Sequence, residues 1–509
     1  MLTRTNLKII FALAANITIC SFLGTMVLIV LRHTKLLPFQ DYALVVDAGS
    51  THTKIFLYTW PADKSDGRGL TSRVYQIKSC SVNYGPITTI SNATHDNIKQ
   101  YFDSAMTNCI NEIPLTRKSR TLIFFGATAG LRLAELRNSS YVNSLLNSTR
   151  TYLSSLGLLF RSPEHQVRII SGSEEGLSGW ISVNILMRQL FENTNPIETY
   201  GVSDFGGGST QLSFIAPHAS KQRFAMNLFN ATYDVYSHSY LCYGQEQSRL
   251  VHLSQLIKRT DATSLINDPC LQSGYIQNIT SKELFRTACI HREYVPSTNL
   301  NQSTTFSFVG TGDYEKCQMT VKQRFNKSSC SIQNCSFDGI YQPVPISSSL
   351  KFIAVAGWYS VFKHLAPHLP LLPNKDKNYE LASLNLTRIK QAVKAICNQS
   401  WFDVHDPDRY RPFLCFNSML HWTLFEYGYS MTDENLKNFQ IVKTIDSNEI
   451  GWTFGYMINQ TNYLDPQYRP RRLLTQDEFI VLLALCLLLC TISLATAVTT
   501  IYVYKKHRK

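Results

Sequence analysis

The sequence predicts an α/β fold of two related lobes carried on two membrane helices. Three observations carry that reading. The segments Val45-Val46-Asp47-Ala48-Gly49-Ser50-Thr51-His52-Thr53-Lys54 and Val202-Ser203-Asp204-Phe205-Gly206-Gly207-Gly208-Ser209-Thr210-Gln211 read as two copies of one device. Each enters on β-branched residues, places Asp-x-Gly at a strand end, turns through small or hydroxyl residues and leaves in an apolar alternation. Strand-like and helix-like stretches alternate around and between the copies, the signature of an α/β fold. Residues 9–31 and 479–504 are each apolar over more than the roughly 20 residues that span a bilayer.

The elements follow in order. From Tyr42 the pattern runs strand, turn and strand (54–60), then a loop at 61–69 and a strand near 74–77. An amphipathic helix is predicted over 98–110 and a buried strand over 121–125, ending in Gly126-Ala127-Thr128-Ala129-Gly130-Leu131-Arg132. Helical spacing returns at 141–156, and 167–170 is a strand. Ser171-Gly172-Ser173-Glu174-Glu175-Gly176 then opens a helix, with Leu177, Ile181 and Ile185 on one apolar face. Ser171-x-x-Glu174 has the form of a capping box. The second hairpin spans 202–215. A helix-like stretch at 350–365 and Gly451-Trp452-Thr453-Phe454-Gly455-Tyr456 precede the second apolar span.

Lys505, Lys506, Arg508 and Lys509 follow that span, and the positive-inside rule keeps them cytoplasmic. Both termini are then expected inside, with residues 36–478 outside the cell or in a lumen. Cysteine usage agrees. Cys20, Cys486 and Cys490 lie in the spans, and the other ten (Cys80, Cys109, Cys242, Cys270, Cys289, Cys317, Cys330, Cys335, Cys397, Cys415) all lie in the large loop. With no Cys-x-x-Cys pair, five disulfides in an oxidising compartment are expected. Eleven glycosylation sequons share that loop, at Asn92, Asn138, Asn147, Asn230, Asn278, Asn301, Asn326, Asn334, Asn385, Asn398 and Asn459. The net charge of +13 comes partly from the membrane flanks, and the remaining Lys and Arg form no basic run, so no nucleic-acid partner is expected.

The chemistry is that of phosphate. Glycine-rich turns let backbone N–H groups approach phosphate oxygens, hydroxyls add donors, and an aspartate can anchor a hydrated divalent cation. With Glu174 occupied as a cap, Glu175 is free to act as a general base on a water. Ser209, Thr210 and Gln211 can hold that water, and Arg132 offers a phosphate fork. Walker A, Gly-x-Ser-x-Gly and His-Glu-x-x-His patterns are absent, which excludes the P-loop, serine-hydrolase and zincin readings.

Taken together, these segments resemble the ecto-nucleoside triphosphate diphosphohydrolases, or apyrases, of the actin/Hsp70/sugar-kinase (RNase H-like) superfamily. The five regions of that family are matched by residues 46–54, 126–132, 169–184, 202–211 and 352–365, and two further segments, 233–244 and 450–457, are also similar. The resemblance implies Glu175 as base, and Ser209 and Gln211 as holders of the attacking water. It implies Asp47 and Asp204 as ligands of Ca²⁺ or Mg²⁺ through water. Phosphate contacts fall on Ser50, Thr51, His52, Thr128, Arg132, Gly206, Gly207 and Gly208. Gly208 stands where alanine is usual. The fifth region departs from the family pattern and leaves Trp358 or Tyr359 as the candidates for stacking on the base.

The expected organisation is a cytoplasmic stretch at 1–8, a span at 9–31, a first lobe at 36–171 to which 448–475 returns, a second lobe at 172–447, a span at 479–504 and a tail at 505–509. The expected activity is hydrolysis of nucleoside tri- and diphosphates to monophosphates at the cell surface, with the transmembrane helices as a route to a homo-oligomer. The alternatives are a diphosphatase of the Golgi or another secretory lumen acting on UDP or GDP, and an inactive nucleotide-binding or adhesion ectodomain.

Overall fold

Parallel strands buried on both faces set the frame of the large loop. The computed structural model describes residues 3–34, 39–190, 198–260, 265–291, 295, 302–369, 371–403, 411–446, 448–467 and 473–506; Asn301, Arg508 and Lys509 lie outside the described residues. The chain divides into one unit of residues 1–40, 61–65 and 465–509 and another of 41–60 and 66–464.

In the first unit, helices Arg4–His33 and Gln476–Lys506 are each long and apolar enough to cross a membrane. They pack antiparallel, with Thr18 Oγ1 and Ser493 Oγ 2.8 Å apart and Arg32 Nη1 donating to the Leu474 carbonyl at 3.0 Å. Leu7, Ala14 and Ser21, at seven-residue intervals, are buried on one helix, and Ser493, Ala497 and Thr500 on the other. Small residues at such a seam let the two backbones approach.

The second unit carries two sheets of matching topology. In the first, β1 (Gln40–Ala48), β2 (Thr53–Pro61), β3 (Tyr75–Ser81), β4 (Leu122–Ala127) and β5 (Val167–Ile169) take the order β3-β2-β1-β4-β5. The next strands are β6 (Gly201–Phe205), β7 (Ser209–Ile215), β8 (Arg223–Leu228) and β9 (Ala231–Leu241). A separate three-stranded sheet holds β10 (Leu265–Asp268), β11 (Ile276–Thr280) and β12 (Thr305–Gly310). With β13 (Phe352–Ala356), β14 (Tyr379–Glu380) and β15 (Phe439–Ile441), the large sheet runs β14-β15-β13-β6-β7-β9-β8. Its stretch β9-β7-β6-β13-β15 repeats the first sheet strand for strand: a hairpin, then two parallel neighbours. Such a duplication is the actin-like plan, and it places both Asp-x-Gly turns at strand ends.

Helices Gly172–Leu186 and Trp452–Gln460 join the two sheets. One core cluster runs from Val45 and Tyr58 through Trp180, Ile181 and Met457 to Val202 and Val355. Their contact is close enough that a Cβ at Gly455 would lie 2.0 Å from the Ser178 carbonyl oxygen. The helix after Ser171 is therefore buried continuously from Gly176 to Asn184, not only along the Leu177–Ile181–Ile185 stripe.

Two further expectations are corrected. The stretch 350–365 is a strand, β13, followed by helix Gly357–Leu365. A strand buried on both faces lacks alternation, so periodicity cannot separate it from a buried helix. The capping box at Ser171 is half formed. Ser171 Oγ accepts from Glu174 N at 3.1 Å, but the Glu174 carboxylate pairs with Arg168 of β5 instead of returning to the Ser171 N–H. All ten loop cysteines pair, as 80–109, 242–289, 270–317, 330–335 and 397–415, while Cys20, Cys486 and Cys490 are free thiols.

Candidate active site

The two turns close in the same way. Gly49 N donates to the His52 carbonyl at 3.0 Å, and Gly206 N donates to the Ser209 carbonyl at 2.9 Å. They also face each other at contact distance. A Cβ on Gly207 would sit 2.8 Å from Thr51 Cγ2 and 3.0 Å from Ser50 Oγ, and one on Gly208 would sit 2.7 Å from Ala129 Cβ. Glycine at 207 thus keeps the second loop's backbone open toward Ser50 and Thr51. His52 lies at the tip of the first loop, with Nδ1 2.8 Å from Thr51 Oγ1. Thr128 is buried where β4 ends, its N–H donating to the Ala48 carbonyl at 3.2 Å.

Three carboxylates converge beside these loops. Asp47 lies one residue before the end of β1, opposite Gly126, and Asp204 one residue before the end of β6, opposite Val355. Burial pushes the Asp47 carboxyl up to about 7; the Trp452 hydrogen bond works against that rise, and the charge of Glu175 adds to it. Asp204 is also pushed up to about 7, by burial first and then by Glu175 and Asp47. Burial raises Glu175 as well, against the opposing pull of Arg132, with which it forms an ion pair. The other nearby cation, Lys54, pairs with Glu449 at 2.7 Å. Among the described residues neither Asp47 nor Asp204 has a cationic side chain of its own. Two half-buried carboxylates in that state fit a bound divalent cation, whose charge favours their ionised forms.

Gln211, Ser209 and Ser239 are already linked. Gln211 Nε2 donates to Ser209 Oγ at 2.8 Å and to Ser239 Oγ at 3.0 Å, and Ser239 Oγ in turn lies 3.4 Å from Nη1 of Arg132, the partner of Glu175. Trp358 is placed elsewhere. It is 1% exposed, its indole N–H donates to Ser203 Oγ at 2.9 Å, and its ring packs on Phe205, His421, Trp422 and Phe439. No ring face is left for a base, which corrects the reading of Trp358. Tyr359 is half-buried beside Tyr379, with Lys443 Nζ 5.7 Å from its ring centre.

Two residues at the site received no role from the sequence. Trp452 Nε1 donates to Asp47 Oδ1 at 2.9 Å, and Ser239 bridges Gln211 and Arg132. Both lie in segments 233–244 and 450–457, but an indole or a hydroxyl in an apolar pattern carries no local sign of what it touches.

Known proteins resemble the whole of this unit. The chain is 32% identical over 462 residues to ectonucleoside triphosphate diphosphohydrolase 3 of Mus musculus, covering 87% of this chain and 82% of that one. It is 30% identical over 510 residues to ectonucleoside triphosphate diphosphohydrolase 1 of the same species, covering 96% and 94%. A crystal structure of nucleoside triphosphate hydrolases from Neospora caninum superposes with a TM-score of 0.56 at 16% identity, over 83% of this chain and 93% of that one, a likeness of fold. The model of one family matches residues 38–470 continuously, and with that match the chain belongs to the GDA1/CD39 (nucleoside phosphatase) family.

Proposed function

We propose that this protein is a membrane-held apyrase that removes terminal phosphates from nucleoside tri- and diphosphates to leave the monophosphate, with Ca²⁺ or Mg²⁺, by direct attack of water. The observation that carries this reading is the meeting of Glu175, Asp47 and Asp204 beside two facing glycine turns. Asp47 and Asp204 would hold the cation, which when bound would supply positive charge to offset that of the phosphate oxygens.

The rest of the work falls to the chain. Backbone N–H groups of the two turns, with the hydroxyls of Ser50 and Thr51, hold the polyphosphate between the sheets. Ser209 and Gln211 place a water in line with the terminal phosphorus. Glu175 takes its proton, and burial suits the carboxylate to that task by raising its basicity. Arg132, the base's partner at rest, offers its fork to the terminal phosphate oxygens. The antiparallel terminal helices and the lysines at the C-terminal end support an arrangement with both termini in the cytoplasm and the site outside. The relatives' "ecto" names support the plasma membrane over a Golgi lumen.

The test is phosphate release by intact expressing cells given external ATP, ADP, UDP or GDP, with EDTA and Glu175→Gln in parallel. Cation-dependent release from intact cells, lost in the variant, is the expected result. Activity only after permeabilisation, on UDP or GDP, would place the site in a lumen, and no activity in either preparation would reject catalysis.

A further inference from the structure

The segment 233–244 contributes β9, whose residue Ser239 stands directly across from Gln211 in the sheet. Its hydroxyl oxygen accepts from Gln211 Nε2 at 3.0 Å and lies 3.4 Å from Arg132 Nη1. Those donors belong to a water holder and to the partner of the base. A hydroxyl oxygen has two acceptor lone pairs, so this pair of donors fills them and fixes the orientation of both.

The surroundings leave no slack. A Cβ on Gly172, at the start of the helix that carries Glu175, would lie 2.3 Å from Ser239 Cβ and 2.5 Å from Arg132 Nη1. The neighbouring Ser237 serves the same helix differently. Its hydroxyl meets Ser213 Oγ at 2.8 Å and donates to the Ser173 carbonyl at 3.0 Å, without a hydrogen bond to Gln211 or Arg132.

On the reading of the site above, we infer that Ser239 is a positioning residue for the hydrolytic reaction, tying the Gln211 that holds the attacking water to the Arg132 that partners the base. With Ser239 in place, water, base and arginine keep one relative geometry when the substrate draws Arg132 toward phosphate. Without its hydroxyl, the Gln211 amide keeps only Ser209 and rotates, and the water loses its line to phosphorus.

The experiment measures kcat and KM for ATP hydrolysis by the full-length protein in membranes of expressing cells, for Ser239→Ala, Gln211→Ala, the double variant, and Ser237→Ala. Expected for Ser239→Ala is a kcat about tenfold or more lower with KM within about twofold, as small misplacements of reacting groups act on turnover. The double variant should lose no more than Gln211→Ala alone, because the two residues act as one unit. Ser237→Ala should keep wild-type kcat. Should Ser239→Ala fail to reach the surface folded, Ser239→Cys, which keeps the volume with a weak acceptor, gives the same readout.

If Glu175→Gln and Gln211→Ala both keep wild-type turnover, the underlying site reading fails. If those two fall while Ser239→Ala turns over normally, multiplies its loss with that of Gln211→Ala, or matches Ser237→Ala, only the role of Ser239 is overturned.

Discussion

Trp452 Nε1 donates to Asp47 Oδ1 at 2.9 Å across 405 residues of chain. The indole sits against Gly126, where a Cβ would lie 2.3 Å from its Cη2, so the strand beside Asp47 is shaped to admit it. The carboxylate is thereby aimed from behind by a donor that carries no charge and leaves its other oxygen for the cleft.

Trp452→Phe keeps an aromatic ring, smaller than the indole, and deletes that donor. A single hydrogen bond to a charged group is worth about 1.5–3 kcal/mol, so the cation concentration for half-maximal phosphate release should rise roughly tenfold or more. A cation titration of activity measures it, and an unchanged midpoint would detach Trp452 from the metal site.

Glu175→Gln preserves size and hydrogen-bonding reach but cannot accept the water's proton. Loss of a general base lowers turnover by about 10²–10⁴. Release of phosphate from ATP by the purified variant should fall within that range while its melting temperature holds, and a drop of less than tenfold would give the base to another group.

Removal of divalent cations should abolish activity and lower stability together, because Asp47 and Asp204 then face each other without a counter-charge. A ligand bound only by the native state stabilises by about 2.7 kcal/mol at 100 times its Kd. Differential scanning fluorimetry with EDTA, then with Ca²⁺ or Mg²⁺ restored, should show the melt falling and recovering with activity.

His421 gives a pH dependence with a definite sign. It is fully buried, its ring 3.8 Å from that of Phe205, and burial pushes its pKa down to about 3. Below pH 6.5 the unfolded chain binds a proton there that the native state refuses, so stability falls as pH falls, by about 2 kcal/mol at pH 5. Asp47 and Asp204 act in the opposite sense, since their raised values let the native state hold protons that the unfolded chain has released. The difference in denaturant midpoint between wild type and His421→Gln isolates the histidine, and the gap should narrow as pH is lowered from 7 to 5.

Much of the proposed site was legible because it is written in local pattern. Asp47, Asp204 and the glycines that follow them sit at the ends of β-branched runs, and a strand followed by Gly-rich turn residues announces itself within ten positions. Glu175 could be singled out because Ser171 capped the turn before it, even though Glu174 then paired with Arg168 rather than with its cap. The two apolar spans, the ten loop cysteines and the strand–helix alternation were likewise properties of neighbouring residues. Position in the fold decided the rest. Trp358 looked like a base-stacking residue until packing on Phe205 and Phe439 buried it, and 350–356 looked helical until two parallel neighbours made it a strand. The cysteine pairs, the touch of Gly207 on Thr51, and the bonds of Trp452 to Asp47 and Ser239 to Gln211 arise between residues far apart in sequence. Periodicity encodes which face of an element is apolar, whereas these contacts depend on how whole sheets and helices dock, and no local pattern specifies that.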